Sequence, residues 1–398
     1  MANGMASLMV GSSGLRSAQT ALNTTAHNLS NVNTQGYTRQ QVTFTDTTYA
    51  NVFSSSIVPG KYGLGVDIGA ISRVRNDFID RSYRTEYSRL GFYESQANAV
   101  YEVEDWFGEM QGVTYQQHIT DLYNSINELT KNPTSTIARS SLIQNATAFI
   151  DRSQAIYSGL KDYQITLNTE VSSMVDKINE LGQKIYSLNK SISKVEAGGV
   201  ERANDLRDTR DLALDELSQY LDIDYYETTD GQIIISAENI PFVSKSEVNT
   251  MDVRQEGQYG LLIPEWPAYE KDVFSFEKAA SNANNNDKGK LKGLLVARGT
   301  IDVNYQDVPV MPDKSDYDLT TAEGMAQYNS AMDDYQKQQD YYNKYIEPSA
   351  ILSAIAGFDK LVNGIVTALN DVLCPEKEVE TTTEMTDDEG NPLQADKY

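Results

Sequence analysis

Apolar residues near the N-terminus fall at Leu8, Leu15, Ala18, Leu22, Leu29 and Val32, with Thr25 filling the seventh place of the same seam. The seam returns about every 3.5 residues, which predicts a helix. Asn33, Thr34 and Gly36 supply the turn chemistry that ends it. The rest of its surface is Ser, Thr, Asn and Gln. A helix with one narrow apolar stripe is marginal alone in water and suits a site where other helices surround it.

From Gln40 the period shortens. Val42 and Phe44 alternate with polar neighbours, as do Val66, Ile68 and Ala70, so two short strands flank a loop or hairpin over 48–65. Helical spacing resumes near Phe78 and runs past Trp106. The longest periodic run joins Ile156, Leu160, Tyr163, Leu167, Val171, Met174, Ile178, Leu181, Ile185, Leu188, Ile192 and Val195. A helix of about 40 residues would span about 60 Å. It reads as a rod, although the core helix of a compact all-α domain gives the same period. Gly198 and Gly199 end it, and residues 204–220 predict a helix folding back alongside.

At 222 the pattern turns β-like. A hairpin is expected over 222–236, with Gly231 in its turn and further strands at 259–263 and 273–276. The Asn-rich stretch 281–287 reads as a flexible exit, and 289–298 as a return to helix. Residues 302–345, with Pro309 and Pro312, read as an insertion that becomes helical from about 321. A last helix is expected over 349–373, with Pro348 in its first turn. The fold class is therefore mainly α with a smaller β-rich domain, an elongated multi-domain protein around a long heptad-patterned helical bundle. The expected divisions are 1–38, 39–220, 221–288, 289–373 carrying the 302–345 insertion, and an acidic tail at 374–398.

Composition narrows the function classes. The 398 residues hold 33 Lys and Arg against 57 Asp and Glu, a net charge of −24. That balance opposes binding to phosphate backbones or anionic lipid. One Cys and two His exclude a disulfide framework within the chain and a Cys/His zinc cluster. The charge is uneven: Arg16 is the single full charge before Arg39, while 376–398 hold eight acids and two lysines. That tail has the composition of a disordered segment. Tyr, at 25 against 10 Phe, suits half-wet contact surfaces. No run reaches the ~18 apolar residues of a membrane span, and no secretory leader is evident. The protein is then either cytoplasmic or exported without a cleaved signal.

No catalytic motif stands out. The glycines at 11–14, 60 and 289 lack the spacing of a nucleophile elbow or a phosphate loop. His27 and His118 read as ordinary polar residues, and Cys374 as an inert thiol.

Residues 14–42, GLRSAQTALNTTAHNLSNVNTQGYTRQQV, resemble the N-terminal signature of bacterial flagellar rod, hook and hook-associated proteins. Asn28, Asn31, Thr34, Gly36 and Tyr37 match that pattern; His27, Ser30 and Gln35 depart from it. Arg39, the GVDI run at 65–68, Arg73 and Asp77 resemble the hook-associated members in particular, as do 178–181 and 188–192. So does a second motif comprising Asn204, Asp205, Leu206, Asp208, Arg210 and Asp211. The resemblance implies a structural axial protein with no cofactor and no enzymatic activity. It would lie in a ring of its own copies between hook and filament, after export by the flagellar type III route, with an export chaperone as a further partner. Leu15, Ala18, Leu22, Leu29 and Val32 would pack between subunits in the innermost tube. The family's second terminal helix has no counterpart after Cys374, so the chain is expected to stop inside a longer protein. Another axial member, a wall hydrolase on an axial domain and a coiled-coil scaffold unrelated to flagella stay open as alternatives.

Overall fold

A computed structural model describes residues 2–52, 60–108, 114–199, 202–257, 260–278 and 280–373. Cys374 and the acidic tail lie outside them. The elements follow one another as α1 (Ala2–Ser30), β1 (Gln40–Asp46), β2 (Tyr49–Val52), β3 (Gly60–Gly63), β4 (Val66–Arg73), α2 (Asp77–Phe107), α3 (Tyr115–Lys131), α4 (Thr136–Glu196) and α5 (Asn204–Tyr220). Then come β5 (Ile223–Glu227), β6 (Ile233–Ala237), β7 (Ile240–Val243), β8 (Asp252–Glu256), β9 (Leu261–Trp266), β10 (Lys271–Asp272), α6 (Lys290–Arg298), α7 (Ala322–Tyr345) and α8 (Ala350–Leu373). The fold is mainly helical with small antiparallel sheets, the class that the periodicities predict.

The chain divides into two compact units. One takes 1–99 and 165–300, the other 100–164 and 301–398, so α2 and α4 each contribute to both.

In the first unit α1 lies against β1 and β4, which pair antiparallel with a bulge between Thr43 and Phe44. β2 and β3 form the hairpin expected within 48–65. The core is made of the inner face of α4 (Val171, Met174, Ile178, Leu181, Ile185, Ile192), Leu214 and Leu217 of α5, and apolar residues of two three-stranded sheets. A Cβ on Gly182 of α4 would stand 2.5 Å from the Phe242 ring, so the helix meets β7 at a residue without a side chain. Gly293 of α6 meets the Phe92 backbone of α2 in the same way, at 2.4 Å.

In the second unit Tyr115, Phe149 and Phe358 form an aromatic centre with ring centroids 5.2–5.7 Å apart. Phe107 meets Phe358 edge-on. The Thr114 side chain accepts from the Gln117 N–H and caps α3. Thr321 caps α7 by accepting from Gly324.

Several expectations change. α4 has 61 residues and starts at Thr136, because polar-looking turns before Ile156 bury Ala138, Leu142 and Phe149. Residues 273–276 are not a strand; Val273 and Phe274 are buried in irregular chain just after β10. The 281–287 exit is tied down, with the Ser281 N–H donating to Asn286 and the Tyr93 hydroxyl donating to buried Asp287 at 2.9 Å. Ser349, accepting from the Leu352 N–H, caps α8, so Pro348 stands before the cap and not in the first turn. α8 is long and apolar enough to cross a membrane by length and composition, although it holds no unbroken apolar run of that length. Its first half is core, with Ile351, Leu352, Ile355 and Phe358 buried, and Asp359 and Lys360 interrupt it.

Candidate assembly surface

α1 presents its faces the opposite way round from an ordinary surface helix. Its polar side turns inward. Ser17, nearly buried, donates to the Val66 carbonyl, and the Ser13 hydroxyl accepts from the Val66 N–H. Gly65 permits this approach: its φ is +117°, and a Cβ there would overlap the Ser13 hydroxyl. The apolar seam turns outward, with Leu15 72%, Leu22 70%, Leu29 73% and Val32 70% exposed, and Ala18 exposed between them. Four large aliphatic side chains in one line over water are costly, at ~1.5–3 kcal/mol each relative to burial. A groove of about 610 Å³ continues the surface beside β1, lined by Leu29, Val32, Tyr37, Arg39 and Val42.

The motif residues that follow the helix lock its end. The Asn28 amide donates to the Gln40 carbonyl at 2.8 Å and accepts from the Gln40 N–H at 2.9 Å. The same oxygen accepts from the Tyr37 hydroxyl at 2.7 Å. Asn31 donates back to the His27 carbonyl and accepts from Thr34. His27 stands edge-on to Tyr37, with ring centroids 5.5 Å apart. Gly36 turns with φ +79° beneath Leu212. Together these fix the angle at which α1 leaves β1.

The second motif, on α5, receives this end. The Thr38 N–H donates to Asp208 at 3.0 Å, and Asn204 donates to the Ile71 carbonyl at 3.0 Å. Arg73 bonds Asp208 at 2.8 Å and Asp211 at 2.6 Å. Arg75 reaches Asp211 and Asp80, while Arg84 reaches Asp215. Burial raises the Asp215 carboxyl against the pull of Arg84 and Arg75. Asp205 accepts from the Gln40 side chain, and Leu206 lines a cleft beside it. On the far side of α5, Arg207 grips Glu196 through two nitrogens, and its hydrogen bonds hold that carboxyl down at about 2. Arg210 is fully buried, donates to Asn189 and to the Gly231 carbonyl, and is pushed down to about 10 by burial. The two motifs, over 160 residues apart in sequence, therefore meet in one cluster. The exposed seam lies apart from it.

Three asparagines of α4 have roles that the sequence does not disclose, although Asn179 and Asn189 fall in the runs 178–181 and 188–192. Asn168 donates to the Gly260 carbonyl and accepts from the Leu262 N–H. Asn179 makes the same paired contact with both backbone groups of Met251, and Asn189 with both groups of Ile233. Among the described residues, no group of three or more His, Cys, Asp or Glu is placed to hold a metal ion.

The chain is thus a mainly helical protein whose first helix shows its apolar seam to water and is tied at its end, through a polar cluster, to α5. Residues 8–38 match the flagella basal body rod protein family, and residues 100–313 match the flagellar hook-associated protein FlgK helical domain. The chain belongs to that hook-associated protein family. It is 29% identical over 335 residues to flagellar hook-associated protein 1 of Bacillus subtilis, covering 79% of this chain and 64% of that one. The same-named proteins of Escherichia coli and Salmonella typhimurium are each 27% identical, covering 57% and 53% of this chain and 41% and 37% of theirs. The chain thus spans about two fifths to two thirds of the length of these relatives. A solved flagellar hook junction protein FlgK from Burkholderia pseudomallei aligns with TM-score 0.45 and 18% identity, over 55% of this chain and 38% of that one.

Proposed function

We propose that this chain is a structural subunit of the bacterial flagellum that packs with copies of itself, and with hook and filament neighbours, at the junction between them. The observation that carries this reading is the outward seam of α1, set on a helix whose polar side is already satisfied. In this reading residues 1–38 enter the inner tube and 39–220 begin the helical rod. Residues 221–288 face solvent, and 289–373 return to the rod. The family relationship supports a mechanical role over a chemical one. The single cysteine and the near-absence of charge before Arg39 suit a chain exported unfolded with its N-terminus retained.

The test is Leu22→Asp with Leu29→Asp in the complete gene. Both side chains are exposed, so the isolated chain keeps its circular dichroism and melting point. Assembly and filament growth are lost, because two charges placed in a buried helix seam cannot be solvated. Normal swimming by the double variant would overturn the reading. Immunogold label along the whole hook, and not at its tip, would point to another axial position.

A further inference from the structure

A cavity of about 820 Å³ opens in the first unit between the β6–β7 turn, β10 and the irregular chain that follows β10. Lys292 of α6 forms part of its wall. The residue is 7% exposed, yet among the described residues its ammonium has no hydrogen bond and no ion pair. What it meets is the Phe274 ring, whose centroid is 5.9 Å from the nitrogen. The nitrogen still touches solvent, and the cavity is where that solvent lies. A lysine this buried is rarely left unpaired, because taking its charge out of water is costly. The acids on the wall do not supply the missing acceptor. Asp272 is held by Arg254 at 3.1 Å, and Glu277 is exposed. Glu238 interacts with Lys292 from beyond ion-pair reach. Its carboxyl is pushed up to about 7, mainly by burial, so near neutral pH only part of it is charged. Lys271 and Lys278 stand exposed on the same wall, also without ion pairs among the described residues. In a chain of net charge −24, these unpaired lysines around one cavity reverse the local sign. Buried Phe274 and half-buried Phe276, with ring centroids 6.4 Å apart, supply an apolar side.

We propose that this cavity binds a small organic acid, its carboxylate seated on Lys292, its apolar body against Phe274 and Phe276, and exposed Lys271 and Lys278 attracting it. A hydrogen bond from a partly desolvated ammonium to a carboxylate is about twice as strong as a neutral one, which sets the acid above its neutral analogue. The volume lies in the usual range of small-molecule sites, about 300–1,000 Å³. Every wall residue belongs to the first unit, so the site needs no partner chain, and the inference stands apart from the assembly reading.

The test uses the whole chain at constant ionic strength, with phenylacetate as the probe. Calorimetry reads binding, and the rate of reductive methylation at each lysine, followed by peptide mass spectrometry, reads its place. We expect a Kd of about 1 mM. At about 10 mM phenylacetate, methylation of Lys292 should slow roughly tenfold by mass action. Exposed Lys131 and Lys337 of the second unit should be unaffected. Phenylacetamide has the same shape without the charge and should bind about tenfold more weakly. Inorganic phosphate gains nothing from the rings and should protect Lys292 less than phenylacetate does. Lys292→Met keeps the length of the side chain without its charge and should abolish phenylacetate binding. If that variant fails to fold, the three probes on the unmodified chain still decide. No protection of Lys292, equal affinity for phenylacetamide, equal protection by phosphate, or undiminished binding to Lys292→Met would each overturn the proposal.

Discussion

Asn168, Asn179 and Asn189 each stand one position after an apolar seam residue of α4: Leu167, Ile178 and Leu188. Each offers one carbonyl and one NH2 to a backbone segment that has no strand neighbour on that side. Alanine at Asn189 would strand the Ile233 N–H and carbonyl and remove an acceptor from buried Arg210. We expect Asn189→Ala to lower stability by about 2 kcal/mol or more in urea titration, and Asn179→Ala by less, since no arginine depends on it. A second residue-level test lies at Glu238, whose carboxyl is pushed up to about 7, mainly by burial, with Asp222 adding to the rise and Lys292 and Lys288 opposing it. A carboxyl with a raised folded pKa loses stability as pH climbs from its unfolded value, about 4.5, through about 7. Urea midpoints for Glu238→Gln should therefore match the parent near pH 4 and exceed it at pH 8. An equal difference at both pH values would contradict this. These side chains were illegible beforehand because an asparagine or glutamate in sequence looks like solvent-facing polarity; the one usable signal was an amide next to an apolar seam residue.

Elements were legible in proportion to their length and periodicity. α5 and α6 lie where the apolar spacing placed them, and α8 begins one residue late. β8 and β10 escaped notice because one has a single apolar residue, Val253, among Asp252, Arg254, Gln255 and Glu256, and the other is two residues long. The first twenty residues of α4 do not show the seam plainly, because its buried positions include Ala138 and Ser153 while Ile137, Ile143 and Ile150 lie exposed off it. What α4 must do at close range is clearer. Gly182 sits against Phe242 with no room for a methyl group. Gly182→Ala gains helix propensity, worth up to ~1 kcal/mol, yet should still destabilise by about 1–3 kcal/mol because the Phe242 ring has to move within a filled core. A melting temperature at or above that of the parent would show that the sheet can retreat.

At the scale of the molecule, the charge map said more than the total. The first 38 residues carry +1, from Arg16, so the remainder carries −25, and the charge-poor segment holds the exposed seam. The family could be read from 14–42 and 204–211, but why those stretches matter to each other could not. Their meeting at Asp208 is a tertiary fact, made by the Thr38 backbone N–H and a side chain 170 positions further on.

One feature of the architecture bears on timing. The two units take alternate segments of the chain: 1–99, then 100–164, then 165–300, then the remainder. A polypeptide that emerges N-terminus first cannot close the first unit until about residue 300 is present, nor the second until α8 has followed. Contacts of such long range slow folding. If the chain is exported N-terminus first, as the proposed function has it, α1 and its seam would be outside and available during that interval. A growing end that captures chains as they emerge would therefore meet the adhesive helix before it meets a finished body, and capture would precede folding.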